Sequence, residues 1–352
     1  ALAAMEDNFN KIIEKGTAIL DLDGGSFQIS LFDKDALVTT QNIRMGSLRI
    51  RERLAGIQSE TEHYEEMVEE LIWNEVSSFK KMYLKDRKIE NIMLIGDVFT
   101  DSVYQNIEEK TTKIISCENF NTWYEKIIRQ SPMELAVKLG IPLENASLMY
   151  PSAVIYKCLI DMMGAEHIWI PGVHMTRSIA YEYAEQMKLL KGGHNFENDI
   201  LMAAKNIGKR YAVNRPHVQN LEMTALAMFD ATKKMHGMKE RERLLLQMAV
   251  MLHDVGKYIS FNNVADSSYN IIMSNEIIGL SHIEREMVAL IARYNTVTLP
   301  SYDELVMESS LSAEQYLTVS ELTAIVRLAN ALDRSPVSYT HLRAHETRSN
   351  LV

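Results

Sequence analysis

The chain has 352 residues, of which 47% are hydrophobic and 24% are charged, so it is long enough for two or three domains with their own cores. This composition excludes a disordered chain, and the net charge of −10 argues against a general nucleic-acid-binding surface. No apolar run predicts a membrane span, and the first residues do not resemble a signal peptide. Two distant cysteines without a CxxC motif are typical of a cytoplasmic protein.

The first third of the chain alternates predicted strands and helices. Period-two alternation predicts four strands, over residues 17–23, 27–33, 36–44 and 91–96. A tight turn at residues 23–26 joins the first two strands. Helical periodicity predicts one helix from Ser47 and a long amphipathic helix over residues 60–83. The pattern indicates an α/β sheet.

The next segment is predominantly helical. Residues 120–165 show helical periodicity, with breaks expected at Pro132, Pro142 and Pro151. A last strand is predicted over residues 167–172 and a helix over residues 176–190. The run Lys191-Gly192-Gly193 is interpreted as a linker between domains.

From Asn195 onward every long segment has helical periodicity, and no convincing strand is present. Five helices are predicted, over residues 195–213, 216–235, 239–256, 281–294 and 312–334. Ser281 with Glu284 matches a capping box, which predicts a helix start at that point. This half of the chain is therefore expected to be an all-helical domain.

The last residues, 337–352, break this periodicity. Their sequence resembles a translated sequencing adapter, so we expect the natural protein to continue differently after about Ser335. His341 and His345 are excluded from the predicted site for that reason.

A candidate metal site is formed by four residues at predicted helices. His253 and Asp254 are adjacent, His217 lies upstream and Asp333 lies downstream. Imidazole with carboxylate suits a catalytic divalent metal such as Fe, Mn, Zn or Mg, with water in the open positions. Burying these groups in an apolar helical layer is costly unless a cation compensates them.

A structural alternative is open for this site. The adjacent His-Asp pair could instead cap its helix before Gly256. Lys257, one turn further, could contact a phosphate substrate, or its charge could only interact with the carbonyl groups at a helix C-terminus. His282, at a helix start, and Asp266 are weaker candidates, so one metal is expected.

A second candidate site is the turn of the first hairpin. A Gly-rich turn can present several backbone N–H groups to a phosphate, although hairpins also use Gly and Asp for conformational reasons. Asp21 could hold Mg²⁺ or its water, and Ser26 could donate its hydroxyl to a phosphate oxygen. Cationic groups and a second tight backbone approach could come from Arg44, Gly46 and Arg49.

Both halves of the chain resemble one family. TAILDLDGGSFQISLFDKD followed by NIRMGSLRIRERL resembles the core of the exopolyphosphatase/guanosine pentaphosphate phosphohydrolase family. MLHDVGKYIS, GLSHIEREMVALIARY and RLANALDR are similar to the HD-superfamily domain of these enzymes. The resemblance covers nearly all of residues 8–336. It implies an α/β actin-like (ribonuclease H-like) lobe followed by an all-α HD-type helical domain.

The resemblance also implies roles for individual residues. It makes Asp21 a metal-associated residue and gives a phosphate-binding role to Gly24, Gly25, Ser26 and Arg49. It makes His217, His253, Asp254 and Asp333 the metal ligands. The chain departs from the family where Asp23 replaces the first Gly of the loop, because a carboxylate there repels phosphate unless a cation intervenes. A second departure is the absence of a Gly-Gly-Thr run near residues 95–101.

The implied domains are a remnant of a first lobe (residues 1–15), an actin-like phosphatase lobe (residues 16–188), an HD-type domain (residues 189–336) and the tail. The family's catalytic Glu is expected in the missing first lobe, so no catalytic residue is assigned. We expect the chain alone to be inactive as a polyphosphatase.

The implied function is Mg²⁺-assisted release of terminal phosphate from inorganic polyphosphate or guanosine pentaphosphate, by a cytoplasmic homodimer of the stringent response. No nucleic-acid or membrane partner is expected. One alternative is a metal-dependent HD phosphohydrolase that acts on a nucleotide. Another is a non-catalytic sensor that binds guanosine tetraphosphate or polyphosphate.

Overall fold

The computed structural model describes residues 12–34, 36–55, 64–96, 98–105, 114–172 and 196–333, with a few positions between 178 and 189. The chain divides into two compact units, residues 1–195 and residues 196–352. The predicted linker at residues 191–193 and the tail at residues 337–352 lie outside the described residues, as does most of the predicted helix over residues 176–190.

The first unit is built on a six-stranded mixed sheet in the order β3-β2-β1-β4-β6-β5. Its strands are β1 (Thr17–Leu22), β2 (Phe27–Asp33), β3 (Ala36–Ile43), β4 (Asn91–Ile95), β5 (Ile114–Ile115) and β6 (His167–Trp169). The first three strands form an antiparallel meander, while β4 runs parallel to both β1 and β6. The strands predicted from periodicity are confirmed, and the short β5 was not predicted.

The central strand β1 explains the position of the first turn. Ala18, Leu20 and Leu22 on one face of the strand and Thr17 and Ile19 on the other are buried, as is typical of a strand covered on both faces. Asp21 is the one exposed residue of this strand, directly before the turn. The carboxylate of Asp21 therefore lies at the C-terminal end of β1, next to the loop that follows the strand.

Six helices are described in the first unit. They are α1 (Ser47–Leu54), α2 (Tyr64–Phe79, continued by a π-turn at Lys80–Leu84), α3 (Val98–Gln105), α4 (Cys117–Ile128), α5 (Pro132–Leu139) and α6 (Leu143–Met163). Pro132 and Pro142 begin helices, as expected of proline in a first turn or cap.

The break predicted at Pro151 is wrong, because α6 continues through this residue. A proline inside a helix costs about 3 kcal/mol. Pro151 and the five residues after it are all buried, so packing of α6 in the core offsets that cost. The sequence pattern could not show how much of this helix is buried.

The second unit contains seven described helices. They are α7 (Phe196–Arg210), α8 (Arg215–His236), α9 (Glu240–Leu252), α10 (Val264–Ser274), α11 (His282–Tyr294), α12 (Tyr302–Leu305) and α13 (Ala313–Asp333). No strand occurs in residues 196–333. The predicted capping box of Ser281 and Glu284 is confirmed. The predicted order, an α/β unit followed by an all-helical unit, is confirmed at this level.

Within the described part of the chain, no helix combines the length and apolarity needed to cross a lipid bilayer.

Candidate functional site

In the helical unit, local capping fixes the position of His217. Asn214 is the N-cap of α8, and its side-chain oxygen accepts a hydrogen bond from the backbone N–H of His217 at 3.3 Å. This cap satisfies one of the free N–H groups at the helix start and places the imidazole in the first turn. The side chain of His217 is 17% exposed.

His253 and Asp254 lie where α9 ends and a 3-10 turn, Val255–Tyr258, begins. His253 is fully buried and Asp254 is 6% exposed. Ser268 of α10 holds this turn: its hydroxyl donates to the carbonyl of His253 at 3.0 Å and accepts from the N–H of Gly256 at 2.9 Å. A Cβ at Gly256 would lie 2.2 Å from a backbone oxygen of α10, so glycine is required for this close approach.

These three side chains converge on one point. The Nε2 atoms of His217 and His253 are 3.2 Å apart. Oδ2 of Asp254 lies 3.4 Å from Nε2 of His253 and 4.0 Å from Nε2 of His217. One donor atom from each residue therefore lies within 4.8 Å of the other two, which is the spacing of a metal site.

The hydrogen bonds of the two rings decide which nitrogens are free. Nδ1 of His253 contacts the carbonyl of Val250 at 2.7 Å, and Nδ1 of His217 contacts the carboxylate of Asp333. Because carbonyl and carboxylate oxygens accept hydrogen bonds, in the neutral rings the Nδ1 atoms carry the protons and both Nε2 atoms present lone pairs. Two lone pairs facing each other beside a carboxylate repel, and a divalent cation between them removes that repulsion.

Asp333, expected from the sequence to be a fourth ligand, is placed differently by the structure. Its carboxylate contacts Nδ1 of His217, the ring nitrogen that does not take part in the three-atom cluster. A carboxylate in this position fixes the tautomer and the orientation of a metal-binding histidine. The geometry therefore supports a positioning role for Asp333.

Lys257 forms an ion pair with Asp254, whose carboxylate is almost fully buried. Burial alone raises the pKa of this carboxyl, but the hydrogen bond and charge of His253 when its ring is protonated, and those of Lys257, lower it below its ordinary value. Asp254 is therefore an anionic oxygen ligand. Of the weaker candidates, His282 is exposed and accepts from Arg285 at 3.3 Å, and Asp266 pairs with Arg293.

In the α/β unit, the turn between β1 and β2 leaves part of its backbone free. The N–H of Asp23 donates to the carbonyl of Ser26 at 2.9 Å, and the N–H of Gly24 donates to the carboxylate of Asp23 at 2.7 Å. The N–H groups of Gly25 and Ser26, and the Ser26 hydroxyl, have no partner among the described residues. Asp23 thus occupies one of the expected phosphate donors and leaves three.

The start of α1 packs directly against this turn. The N–H groups of Ser47 and Leu48 donate to the carbonyls of Asp23 and Gly24 at 3.3 and 3.0 Å. A Cβ at Gly46 would lie 2.2 Å from the carbonyl oxygen of Asp23, so this glycine is required. The N-terminus of α1 is therefore occupied by the turn, and it supports the loop instead of binding an anion itself.

Arg49 is the cation that this packing brings to the turn. A methyl group at Gly25 would lie 4.0 Å from Nε of Arg49, so the guanidinium group runs along the loop. Arg49 is exposed and accessible to a ligand. The structure thus places Arg49 next to the loop. Arg44 is exposed and has no described contact with the turn.

Asp21 and Asp23 form a second, hard-oxygen donor set at this turn. Loss of solvent around Asp21, and then the charge of Asp23, raises the pKa of the Asp21 carboxyl. Gly96 approaches so closely that a Cβ there would lie 2.6 Å from Oδ1 of Asp21. Two neighbouring carboxylates suit Mg²⁺, which binds proteins through one or two carboxylates and keeps several waters. The residues present therefore fit this metal.

Comparison with known families finds matches over most of the chain. The model of the Ppx/GppA phosphatase family matches residues 9–183, and that of Ppx/GppA phosphatase domain III matches residues 201–350. The chain belongs to the Ppx/GppA phosphatase family. The hairpin and the His-Asp cluster of this Ppx/GppA protein both lie within the residues that these two family models match.

Individual relatives of this Ppx/GppA protein are distant. A guanosine-5'-triphosphate,3'-diphosphate pyrophosphatase of Vibrio atlanticus (strain LGP32) is 20% identical over 205 residues, which are 57% of this chain and 39% of that protein. The chain therefore spans well under half of this curated relative.

Solved structures of the family are similar to parts of the chain. A Ppx/GppA family member from Aquifex aeolicus has a TM-score of 0.42 and 13% identity, and covers 54% of this chain and 62% of its own. An exopolyphosphatase from Cytophaga hutchinsonii has a TM-score of 0.41 and 12% identity, with coverages of 55% and 64%.

Two supporting residues were missed by the sequence analysis. Asn214 caps the helix that carries His217, and Ser268 holds the turn after His253. Asn before Arg-Pro is a recognisable helix-start signal, so Asn214 could have been found. Ser268 had no such signal, since its role depends on contact between α10 and a turn eleven or more residues earlier in the chain.

Proposed function

We propose that the protein is a phosphoanhydride hydrolase that releases terminal phosphate from inorganic polyphosphate or guanosine pentaphosphate. The observation that carries this proposal is the free donor set of the first turn in a chain of the Ppx/GppA family. The N–H groups of Gly25 and Ser26 and the Ser26 hydroxyl have no partner among the described residues, and a Cβ at Gly25 would lie 4.0 Å from Nε of Arg49. This combination suits the oxygens of a phosphate group.

In this proposal Asp21, together with Asp23, holds Mg²⁺, which supplies charge neutralisation at the phosphate oxygens when it is bound. Phosphoryl transfer depends mainly on positioning and on stabilising charge. The Gly25 and Ser26 donors would orient the terminal phosphate, and Arg49 would balance its negative charge. We also propose that this unit has the actin-like (ribonuclease H-like) fold, on the basis of the family membership and the phosphate-binding donors of the first turn.

Orthophosphate release from long-chain polyphosphate and from guanosine pentaphosphate, with and without Mg²⁺, tests the activity. Binding of polyphosphate to the same protein is measured in parallel. Arg49→Met is expected to weaken binding several-fold, whereas Arg53→Met, an exposed arginine of the same helix, leaves it unchanged. Binding without Mg²⁺-dependent turnover would replace the hydrolase with a sensor, and absence of both would overturn the proposal.

A second candidate function is favoured by the cluster in the helical unit. We propose that residues 196–333 form an HD-type centre in which His217, His253 and Asp254 bind one divalent metal. The carrying observation is that the two Nε2 atoms lie 3.2 Å apart while each Nδ1 contacts a carbonyl or carboxylate oxygen. Such a metal lowers the pKa of a bound water and polarises a phosphoryl oxygen.

The reaction of this second centre is hydrolysis of a phosphoester. The oxygen of water forms a bond to phosphorus, the bond from phosphorus to the ester oxygen breaks, and that oxygen leaves as an alcohol with a proton. Asp254 and the two histidines hold the metal, and Lys257 is placed to face the phosphate. Hydrolysis of p-nitrophenyl phosphate by the full chain with Mn²⁺, lost together with bound Mn²⁺ in His217→Ala, tests it.

We also propose a cytoplasmic homodimer. Both thiols, Cys117 and Cys158, are free, which suits a reducing compartment. Light scattering of the purified protein tests the oligomeric state, and a monomer at micromolar concentration would contradict it.

A further inference from the structure

A cavity of about 360 Å³ adjoins the His-Asp cluster in the helical unit. Asp254 and Lys257 line one end, the loop between the 3-10 turn and α10 lines another, and the end of α11 closes it with Arg293. Since ligand pockets of proteins are typically ~300–1,000 Å³, this volume suits a small organic molecule. The cavity and the proposed metal centre share the carboxylate of Asp254.

Phe261 lies at the border of this cavity and is 83% exposed. A phenylalanine exposed to that extent loses the favourable burial of its ring, and here it does so beside a site with ionic groups. The preceding Tyr258 and Ile259 are also more than half exposed. An aromatic face open to a polar cavity can stack on a planar ring such as a nucleobase.

Two amides follow this phenylalanine directly. Asn262 and Asn263 both line the cavity and are exposed. Asn263 is the N-cap of α10 but makes no side-chain capping bond. In the described part of the chain, neither side-chain amide has a hydrogen-bond partner. A carboxamide offers a donor and an acceptor side by side, the combination that pairs with the edge of a base.

The other end of the cavity suits a phosphate. Lys257 lies there beside Asp254, while Arg293 is paired with Asp266 at 2.8 Å and is held between the rings of Tyr269 and Tyr294. Arg293 is thus neutralised and fixed as part of the wall. Lys257 is 41% exposed and pairs with Asp254, so this cation lies at the end of the cavity where a phosphate would meet the cluster.

We propose that this cavity binds a nucleoside monophosphate, with the base on Phe261, its edge at Asn262 and Asn263, and the phosphate at Lys257 and the metal centre. This inference rests on the second candidate function and specifies which residues select its substrate. An inorganic phosphate chain would use the charged end but neither the ring nor the amides.

The test is equilibrium binding to the full chain in the presence of Mn²⁺. Adenosine 5'-monophosphate and guanosine 5'-monophosphate are compared with ribose 5-phosphate and orthophosphate by calorimetry. At least one nucleotide is expected to bind tenfold or more tightly than ribose 5-phosphate. Phe261→Ala is expected to weaken nucleotide binding about fivefold or more, as for loss of a base–aromatic stack, and to leave ribose 5-phosphate unaffected.

Met235→Ala is the matched control, since Met235 is 87% exposed and does not line the cavity. Asn262→Ala is expected to change the ratio between the two nucleotides. Equal affinity of the unsubstituted protein for nucleotides and ribose 5-phosphate overturns the inference. An unchanged nucleotide affinity of the Phe261→Ala variant overturns it as well. If Mn²⁺ still binds in that case, the second candidate function survives; if neither Mn²⁺ nor phosphate binds, both fail.

Discussion

The imidazoles of His217 and His253 approach through their Nε2 atoms at 3.2 Å, although they lie on different helices. Nitrogen ligands about 2.0–2.1 Å from a shared zinc ion would be about 3.0 Å apart at a right angle and about 3.4 Å apart at a tetrahedral angle. The observed separation falls between these values. The two side chains are thus spaced as ligands of a common ion.

Metal binding at this cluster is expected to stabilise the protein. Mn²⁺ or Zn²⁺ at 100 times its dissociation constant adds about 2.7 kcal/mol, because the folded state binds the ion and the unfolded chain lacks the site. His217→Ala is expected to remove the resulting rise in melting temperature. His282→Ala, an exposed histidine outside the cluster, is expected to retain it. Equal rises in all three proteins, measured by differential scanning fluorimetry, would refute the site.

Asp333 is expected to behave as a positioning residue. Asp333→Asn should weaken metal binding by roughly 10–100-fold, the usual effect of losing a partner that orients a histidine ligand. Asp254→Asn removes an anionic ligand and should weaken binding further. Titration of both variants with Mn²⁺ gives the comparison, with circular dichroism to verify folding. An equal loss in both would show that Asp333 is itself a ligand.

Ser268→Ala is expected to destabilise the helical unit. Removal of the hydroxyl leaves the buried N–H of Gly256 and the carbonyl of His253 without their partner, and each orphaned group costs about 1–3 kcal/mol. Ser267→Ala, a neighbouring position with no described side-chain hydrogen bond, is the control. Urea unfolding followed by circular dichroism measures the difference, and equal midpoints for the two variants would contradict the role of Ser268.

Asp23→Ala is expected to strengthen anion binding at the first turn about fivefold. The substitution removes a negative charge and frees the N–H of Gly24, which now donates to the Asp23 carboxylate. Affinity for tripolyphosphate without divalent metal is the measurement, with Asp86→Asn as a control for net charge. In the presence of Mg²⁺ the gain should shrink, because the same carboxylate helps to hold the ion. Weaker metal-free binding in Asp23→Ala would show that the loop does not bind the anion.

The thiol of Cys158 is expected to resist alkylation. Burial, and then the charges of Glu69 and Asp161, raise its pKa to about 12. At pH 8 its thiolate fraction is therefore roughly a thousandfold below that of an ordinary cysteine. In a Cys117→Ser background, the rate of reaction with iodoacetamide should be correspondingly lower than in urea, and should rise about tenfold per pH unit up to pH 10. A rate that levels off near pH 9 would contradict the raised pKa.

The sequence was most informative where local rules act alone. The strands on both sides of residues 23–26, the cap at Ser281, the break at Pro132, and the helical character of residues 196–333 all follow from short-range patterns. Helix α10 was not predicted, because Ser267, Ser268 and Asn270 are poor helix formers. That helix is stabilised by burying Ile271 and Ile272, a contribution that depends on the rest of the fold.

For the candidate sites, residue types and spacing determined the chemistry. A Gly-rich turn after a buried strand predicts phosphate binding, and a His-Asp pair with a distant His predicts metal binding, although hairpin geometry and helix capping were open alternatives. Tertiary structure decided which atoms are free to act. It engaged the N–H of Gly24 with Asp23, and it turned Nδ1 of His217 toward Asp333, leaving Nε2 for a metal. Hydrogen bonds between residues 116 positions apart depend on how helices pack, and no local pattern in the chain encodes their direction.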